Sequence, residues 1–403
     1  MEFTRSIILF KKLQTSTKVE RRFEELLAKC ENEKSKFCDA NFYPTVPPDG
    51  NDNQLLQNVE WKYVEDVYPN KELFDDISPK PIGQGELGDC YFIAALIYIS
   101  RYPELVKALF HPKSSLQYGI ALVYFKIMGE SFPVIIDTRL PFVKDDSADN
   151  DGSKEPRIKP KFAYSRDSNH SPAWFALLEK AYAKICGGYS TIEDGQAHIV
   201  IHNFFGWFSS AVNFKTENND RDKLFDNLLQ VYYKNAMLSG GVLFSHLSSE
   251  FSSPNDLENA VGLVTSHAYQ ILEMKEAEGK KFIKLRNPWC KFEWKGDYSK
   301  NSYKWTEQLK YKLSYYIDND QNDGTFWMLF DDFYHYFSEL SYSIPPKEGC
   351  FSHSFCGVID GYLDQRSPCG GCKNAGCLPQ WAVKFSQPGI IRIHAEISGP
   401  HAF

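Results

Sequence analysis

The sequence has nothing approaching the roughly 20 consecutive apolar residues of a membrane-spanning helix. Its one early apolar run, Ile7 to Phe10, is far shorter than the core of a secretory signal. A basic excess is missing too. The 45 Lys and Arg residues stand against 52 Asp and Glu, a net charge of −7, with no basic stripe. That balance argues against a dedicated nucleic-acid binder. No internal repeat is evident. The ten cysteines are thinly spread until a cluster near the C-terminus. Without a signal peptide, reduced thiols and a cytosolic location are the expectation.

What is present is apolar and aromatic. Hydrophobic residues make up 43% of the 403, and 30 Phe with 23 Tyr supply large cores and apolar clefts. The length suffices for two or three domains. Residues 16–31 read as a helix, with Val19, Phe23, Leu26, Leu27 and Cys30 on one face after a Ser16/Thr17 cap. Residues 39–83, rich in Pro, Asp and Asn, read as wandering chain. Two strands follow at 118–126 and 132–137, then a polar insertion over 144–172. Trp174 to Ile185 reads as a helix ended by Gly187 and Gly188. Beyond a junction at Phe204 to Gly206 come a helix near 224–233 and short strands at 241–244, 268–274 and 281–286. The segment FWMLFDDFYHYF, 326–337, closes this sheet-rich half. Alternation at Trp381, Val383 and Phe385, then at Ile391, Ile393, Ala395 and Ile397, predicts two late strands. Two strands cannot bury a sheet face. The chain therefore reads as stopping early in a β domain.

The chemistry concentrates around QGELGDCYF, residues 84–92, where a glycine-rich turn delivers Cys90 to the start of an apolar helix. Phe92, Ala95, Leu96 and Ile99 form its stripe, and Pro103 lies beyond its end. A thiol at a helix N-terminus faces unpaired N–H groups and the positive end of the helix dipole, both of which favour the thiolate. Gln84 stands across the turn as a hydrogen-bond donor. GLVTSHAY places His267 at the entry of a strand, and LRNPWCKFEW places Asn287 at the end of the next. Adjacent antiparallel strands bring those two together. Pro288 biases Asn287 toward extended backbone, and Trp289 is positioned to cover the Asn–His bond. A cysteine hydrolase follows: Cys90 attacks an amide carbonyl, His267 moves the proton and Asn287 fixes the imidazole tautomer. Gln84 and the Cys90 N–H hold the oxyanion, each contributing roughly 3–4 kcal/mol. Against this, a lone buried cysteine is commonly structural, a histidine beside a strand is commonly a core residue, and Asn-Pro alone marks a turn.

The blocks QGELGDCYFIAAL, GLVTSHAY and LRNPWCKFEW resemble the active-site blocks of the calpain family of papain-like cysteine proteases. WKYVED, VIIDTRLP, WFALLEKAYAK and DGTFWMLF extend the resemblance over roughly residues 35–340. It implies an α+β, two-subdomain protease core with a catalytic cleft between subdomains. The expected divisions are an N-terminal helical segment 1–34, a helical Cys subdomain 35–205, a β-rich His/Asn subdomain 206–344, and the start of a β-sandwich, 345–403. The implied activity is limited endoproteolysis of intracellular proteins, with no cofactor required for the chemistry and Ca2+ as the usual regulator. Protein substrates are the implied partners. Membrane contact is expected only through a complete C-terminal β domain.

Departures bear on the metal. Tyr91 replaces the family's Trp, and Cys290 replaces its Gly after Asn-Pro-Trp. Of the carboxylates that the family uses for two Ca2+ ions, Glu179, Glu293 and Asp323 remain, while Pro81, Lys300 and Thr325 occupy the other positions. A cation and a hydroxyl in place of carboxylates predict weakened or absent Ca2+ binding. Ser147 and Ile158 spoil an EF-hand-like start at 147–152. His198 and His202 have i, i+4 spacing without a third ligand, and Cys350, Cys356, Cys369, Cys372 and Cys377 read as free thiols ahead of a zinc site. The alternatives are a non-proteolytic scaffold of the same fold, a transglutaminase-like acyl transferase, for which Asp and not Asn would orient the histidine, and a Ca2+-dependent membrane-binding module.

Overall fold

A computed structural model describes residues 18–42, 59–85, 87–127, 130–143, 172–215, 220–290, 292–315 and 323–346. The acidic insertion, the C-terminal cysteines, the expected β-sandwich strands and the Ser16/Thr17 cap lie outside those residues. The architecture is α+β: a helical region adjoins an antiparallel sheet region.

The helical region is organised by α3 (Cys90–Ile99), whose residues Tyr91 to Ile99 are all buried. Tyr91, Phe92, Ile93, Ala94 and Ala95 are apolar in unbroken succession, so the helix has no solvent face and sits inside the core. This is more than the one-sided stripe read from the sequence. Around it lie α1 (Lys18–Glu33), α2 (Val64–Val67), α4 (Pro103–Ala108), α5 (Ala173–Cys186) and α6 (Ala197–Phe205). Helix α5 ends as its glycines predict: Gly187 takes φ +99°, the left-handed turn that closes a helix C-terminus. Two antiparallel pairs complete the region, β1 (Val59–Tyr63) with β4 (Arg139–Val143), and β2 (Ile120–Ile127) with β3 (Glu130–Asp137). The β1 strand and α2 interrupt what the Pro- and Asp-rich composition of 39–83 presents as wandering chain; pairing with β4 supplies the order. Helix α1 lays Phe23, Leu27 and Cys30 toward the β2–β3 hairpin, and Tyr124 donates to Glu20 Oε1 at 2.8 Å.

The sheet region has six antiparallel strands in the order β5-β10-β6-β7-β8-β9. They are β5 (Phe208–Asn213), β6 (Met237–Gly241), β7 (Ala268–Ala277), β8 (Lys280–Arg286), β9 (Thr325–Leu329) and β10 (Glu339–Ile344). Helices α7 (Arg221–Tyr232), α8 (Pro254–Val261), α9 (Glu307–Lys312) and α10 (Phe330–Tyr336) flank it. The strand expected at 241–244 is displaced: β6 ends at Gly241 and the chain passes into a 3-10 turn at Phe244–His246. A Cβ on Gly240 would stand 3.0 Å from the rings of Phe333 and Phe337. Close packing against aromatics, not strand propensity, therefore sets this segment.

The β7–β8 turn fixes the site. Glu278 and Gly279 both have positive φ, +52° and +71°, as a two-residue hairpin turn of this hand requires. The register that follows pairs Gln270 with Arg286 across a bulge at 271–273. The residue entering β7 and the residue leaving β8 are thereby neighbours.

Candidate active site

Cys90 opens α3, with Asp89 as its N-cap; the Asp89 carbonyl accepts from the Phe92 and Ile93 N–H groups at 2.9 and 3.1 Å. The thiol reaches across to the sheet region, where the backbone N–H of Ala268 faces it, together with that of Tyr91. Both favour the thiolate. Burial opposes them and is the larger effect: although part of the residue's surface is open, the thiol is pushed up to about 11. The helix terminus alone predicts the reverse, and desolvation overrides it.

Gln84 is buried on the loop before α3. Its side-chain Nε2 donates to Leu87 O at 2.6 Å, and its backbone N–H donates to Pro288 O at 3.0 Å. The first bond curls the amide back over the 84–90 turn, leaving its other N–H for an oxyanion. The second joins the loop to the sheet region next to Asn287.

His267 and Asn287 meet as the register dictates, with His267 Nε2 and Asn287 Oδ1 2.7 Å apart. The donor is identifiable. Asn287 Nδ2 donates to Phe292 O at 3.2 Å, and its Oδ1 also accepts from the Trp289 N–H at 2.9 Å. The oxygen therefore faces the imidazole, the proton sits on Nε2, and Nδ1 is the basic nitrogen. Trp289 covers the pair, its ring centroid 4.5 Å from that of His267, and Tyr269 meets the imidazole edge-on at 5.1 Å. Enclosure pushes the imidazole down to about 4, while Asn287 opposes the shift. Burial thus works against charge on both the thiol and the imidazole.

The carboxyls expected as calcium remnants sit differently. Glu179, on α5, is buried against Asp89, a residue the sequence reading did not single out. Asp89 is pushed up to about 7 and Glu179 well above the usual carboxylate range, burial being the main cause in both. Beyond their contact with each other, Asp89's oxygens and Glu179 Oε1 meet no donor among the described residues. Two enclosed carboxyls of this kind hold a proton between them. Glu293 is half-buried and raised by that burial, with Lys300 pulling the other way and Asp323 adding to the rise. Asp323 Oδ1 accepts from the Thr325 N–H at 2.9 Å. Among the described residues, no three His, Cys, Asp or Glu side chains converge as a metal site. Pro81 offers no side-chain oxygen, and Lys300 brings a cation to Glu293, against the six to eight oxygens that a Ca2+ ion takes. Cys290 has φ +51°, the backbone reason a glycine suits that position.

Known proteins share this arrangement of segments. The sequence profile of the calpain family of cysteine proteases matches residues 37–343. The calpain-type cysteine protease DEK1 of Arabidopsis thaliana is 29% identical over 306 residues, covering 74% of this chain and 13% of that protein. Human calpain-14 is 30% identical over 366 residues, 87% of this chain and 49% of that protein. The rat calpain-1 catalytic subunit is 29% identical over 395 residues, 91% of this chain and 51% of that protein. The chain thus spans from about an eighth to about half of the length of these relatives. With the profile running through both the helical and the sheet regions, the chain belongs to the calpain family of cysteine proteases.

Proposed function

We propose that the protein is a cysteine endopeptidase that hydrolyses peptide bonds of intracellular proteins, with Cys90, His267, Asn287 and Gln84 as its catalytic residues. The observation that carries this reading is the 2.7 Å bond between His267 and Asn287, on the strand whose next N–H faces the Cys90 thiol. The subdomains are taken to be 35–205 and 206–344, with the substrate between them.

The nucleophile is the Cys90 thiolate, paired with the His267 imidazolium. As substrate displaces water, His267 Nδ1 takes the thiol proton, and the thiolate attacks the peptide carbonyl carbon. The carbonyl π electrons move to oxygen, which is held by Gln84 Nε2–H and the Cys90 N–H. Collapse breaks the C–N bond, and the imidazolium gives its proton to the leaving amine. A thioester remains. His267 then deprotonates a water that attacks the thioester carbon, and collapse expels the thiolate beside the imidazolium, restoring the starting pair and releasing a carboxylic acid. Asn287 holds the ring throughout, so Nδ1 alone exchanges protons.

Calcium is assigned no part in these steps, and Ca2+ binding by the core is expected to be weak. Among the described residues no helix is long and apolar enough to cross a membrane. A cytosolic setting, and membrane contact only through a complete C-terminal β domain, belong to the same reading. The alternative is a non-proteolytic scaffold of the same fold, and the cleavage assay separates the two.

The test compares wild type with Cys90→Ser on unfolded casein, with and without EGTA. Cleavage by wild type alone, surviving EGTA, is the expected result. Equal, negligible cleavage by both proteins would remove the enzyme reading, and two Ca2+ sites of micromolar affinity by calorimetry would remove the weak-calcium reading.

A further inference from the structure

Arg286 is the last residue of β8, and its side chain is only 3% exposed. Its backbone is set by two neighbours at once, paired with Gln270 of β7 and Thr325 of β9. From that fixed base the guanidinium crosses to the helical region. Nη1 donates to Pro79 O at 2.6 Å, and Nη2 donates to Ile82 O at 2.8 Å and more distantly to Lys80 O at 3.5 Å. On its own side Nε donates to Asp323 O at 3.2 Å, and Nη2 lies 3.7 Å from Cys290 Sγ. These acceptors are all neutral. A buried cation satisfied by carbonyls is poor value as simple stabilisation, since its dehydration offsets much of the hydrogen bonding. It is a strong constraint on geometry, because a planar fork accepts carbonyls only from set directions.

The loop it grips is suited to being gripped. Pro79 and Pro81 have no N–H, and the segment closes a turn in which the Ile82 N–H donates to Pro79 O at 3.2 Å, so that the carbonyls of 79, 80 and 82 converge on one donor. Two residues past Ile82, the Gln84 N–H donates to Pro288 O. Arg286 and Pro288 therefore both bond to the loop that leads into Cys90, while Asn287 between them bonds His267. One three-residue segment binds both sides of the site on alternate positions.

We infer that Arg286 is a positioning residue that holds the Gln84–Cys90 loop in register with the His267–Asn287 pair. It touches no reacting atom. Its effect is on where the nucleophile and oxyanion donors stand relative to the base, and misplacement of about 1 Å costs on the order of 100-fold in rate. The rate consequence rests on the proteolytic reading above; the structural consequence does not.

Arg286→Lys is the informative variant, because one ammonium keeps the charge but cannot span Pro79, Ile82 and Asp323 together. Two measurements are made on the full chain: steady-state casein cleavage, and hydrogen exchange at the Gln84 amide against Ile271 and Leu285 in β7 and β8. The expected result is a kcat lower by about 100-fold with KM little changed. Exchange at Gln84 should speed by about 10-fold or more while the strand amides stay protected. Unchanged exchange at Gln84, or equal acceleration at Gln84 and in the strands, overturns the inference; the second is what a merely structural arginine gives. If wild type cleaves nothing, the proteolytic reading fails and the exchange comparison still decides this one. If the Lys variant does not fold, Arg286→Gln, which keeps a planar donor but loses the fork, is read by the same criteria.

Discussion

The two regions hold their halves of the site by different physics. Cys90 is held by burial: α3 is enclosed on every side, and its N-terminus can go nowhere else without exposing Tyr91 to Ile99. His267 and Asn287 are held by register: a two-residue turn and a ladder of backbone bonds put them 2.7 Å apart. Burial is non-directional and tolerates adjustment in proportion to area, whereas a ladder moves in whole-residue steps. Damage to the first region is therefore expected to appear as lost stability, and damage to the second as lost alignment at a smaller cost in stability.

The largest expected effect tests the first half of that contrast. Phe92 is fully buried, stacks on Tyr182 at 5.0 Å and meets Phe204 at 5.9 Å. Phe92→Ala should cost about 3–5 kcal/mol in urea unfolding. A cost below about 1 kcal/mol would mean that burial does not hold the helix.

The next is pH dependence. His267, pushed down from 6.5 to about 4, binds a proton less readily folded than unfolded. Stability from this group is intact above about pH 6.5 and falls as pH drops toward 4, by roughly 3 kcal/mol in all. Asp89, pushed up to about 7, works in the opposite sense over the same window, its stabilisation being lost as pH rises. The difference between wild type and His267→Gln isolates the histidine, and parallel stability–pH curves for the two would refute the assignment.

Asn287→Ala should reduce kcat by about 100-fold, with an unfolding cost of about 1–3 kcal/mol from the bonds lost to His267, Trp289 and Phe292, below that of Phe92→Ala. A matching loss of stability would erase the distinction between register and burial. The smallest effect is at the hairpin: Gly279→Val, strained at φ +71°, should cost about 1–2 kcal/mol. If the turn governs alignment, activity will fall by more than that cost explains, an outcome that Phe92→Ala is not expected to show.

How much of this was legible in the sequence depended on the range of the interaction. The Cys90 helix, the glycine-ended α5, and the strands carrying His267 and Asn287 follow from local patterning, and so did the meeting of those two residues, because hairpin pairing is nearly local. Residues whose settings depend on distant partners were not legible. Gly240 lies in a strand because Phe333 and Phe337 pack over it. Asp89 meets Glu179 from 90 positions away, and nothing in GDC signals an enclosed carboxyl pair. Arg286 looks like an ordinary strand end until the carbonyls of 79–82 arrive. The burial that opposes the thiol's ionisation was not legible either: a helix terminus is visible in sequence, whereas the depth of packing around it is not.

The third partner of the histidine is an amide, not a carboxylate, and it fixes the ring without adding charge. Burial pushes the Cys90 thiol up and so works against the bare thiolate. Peroxides and small alkylating agents attack the thiolate, so burial that disfavours the thiolate also disfavours their attack. On the proteolytic reading proposed above, the same packing that shields the sulfur from oxidants also requires His267 to take the thiol proton when substrate arrives.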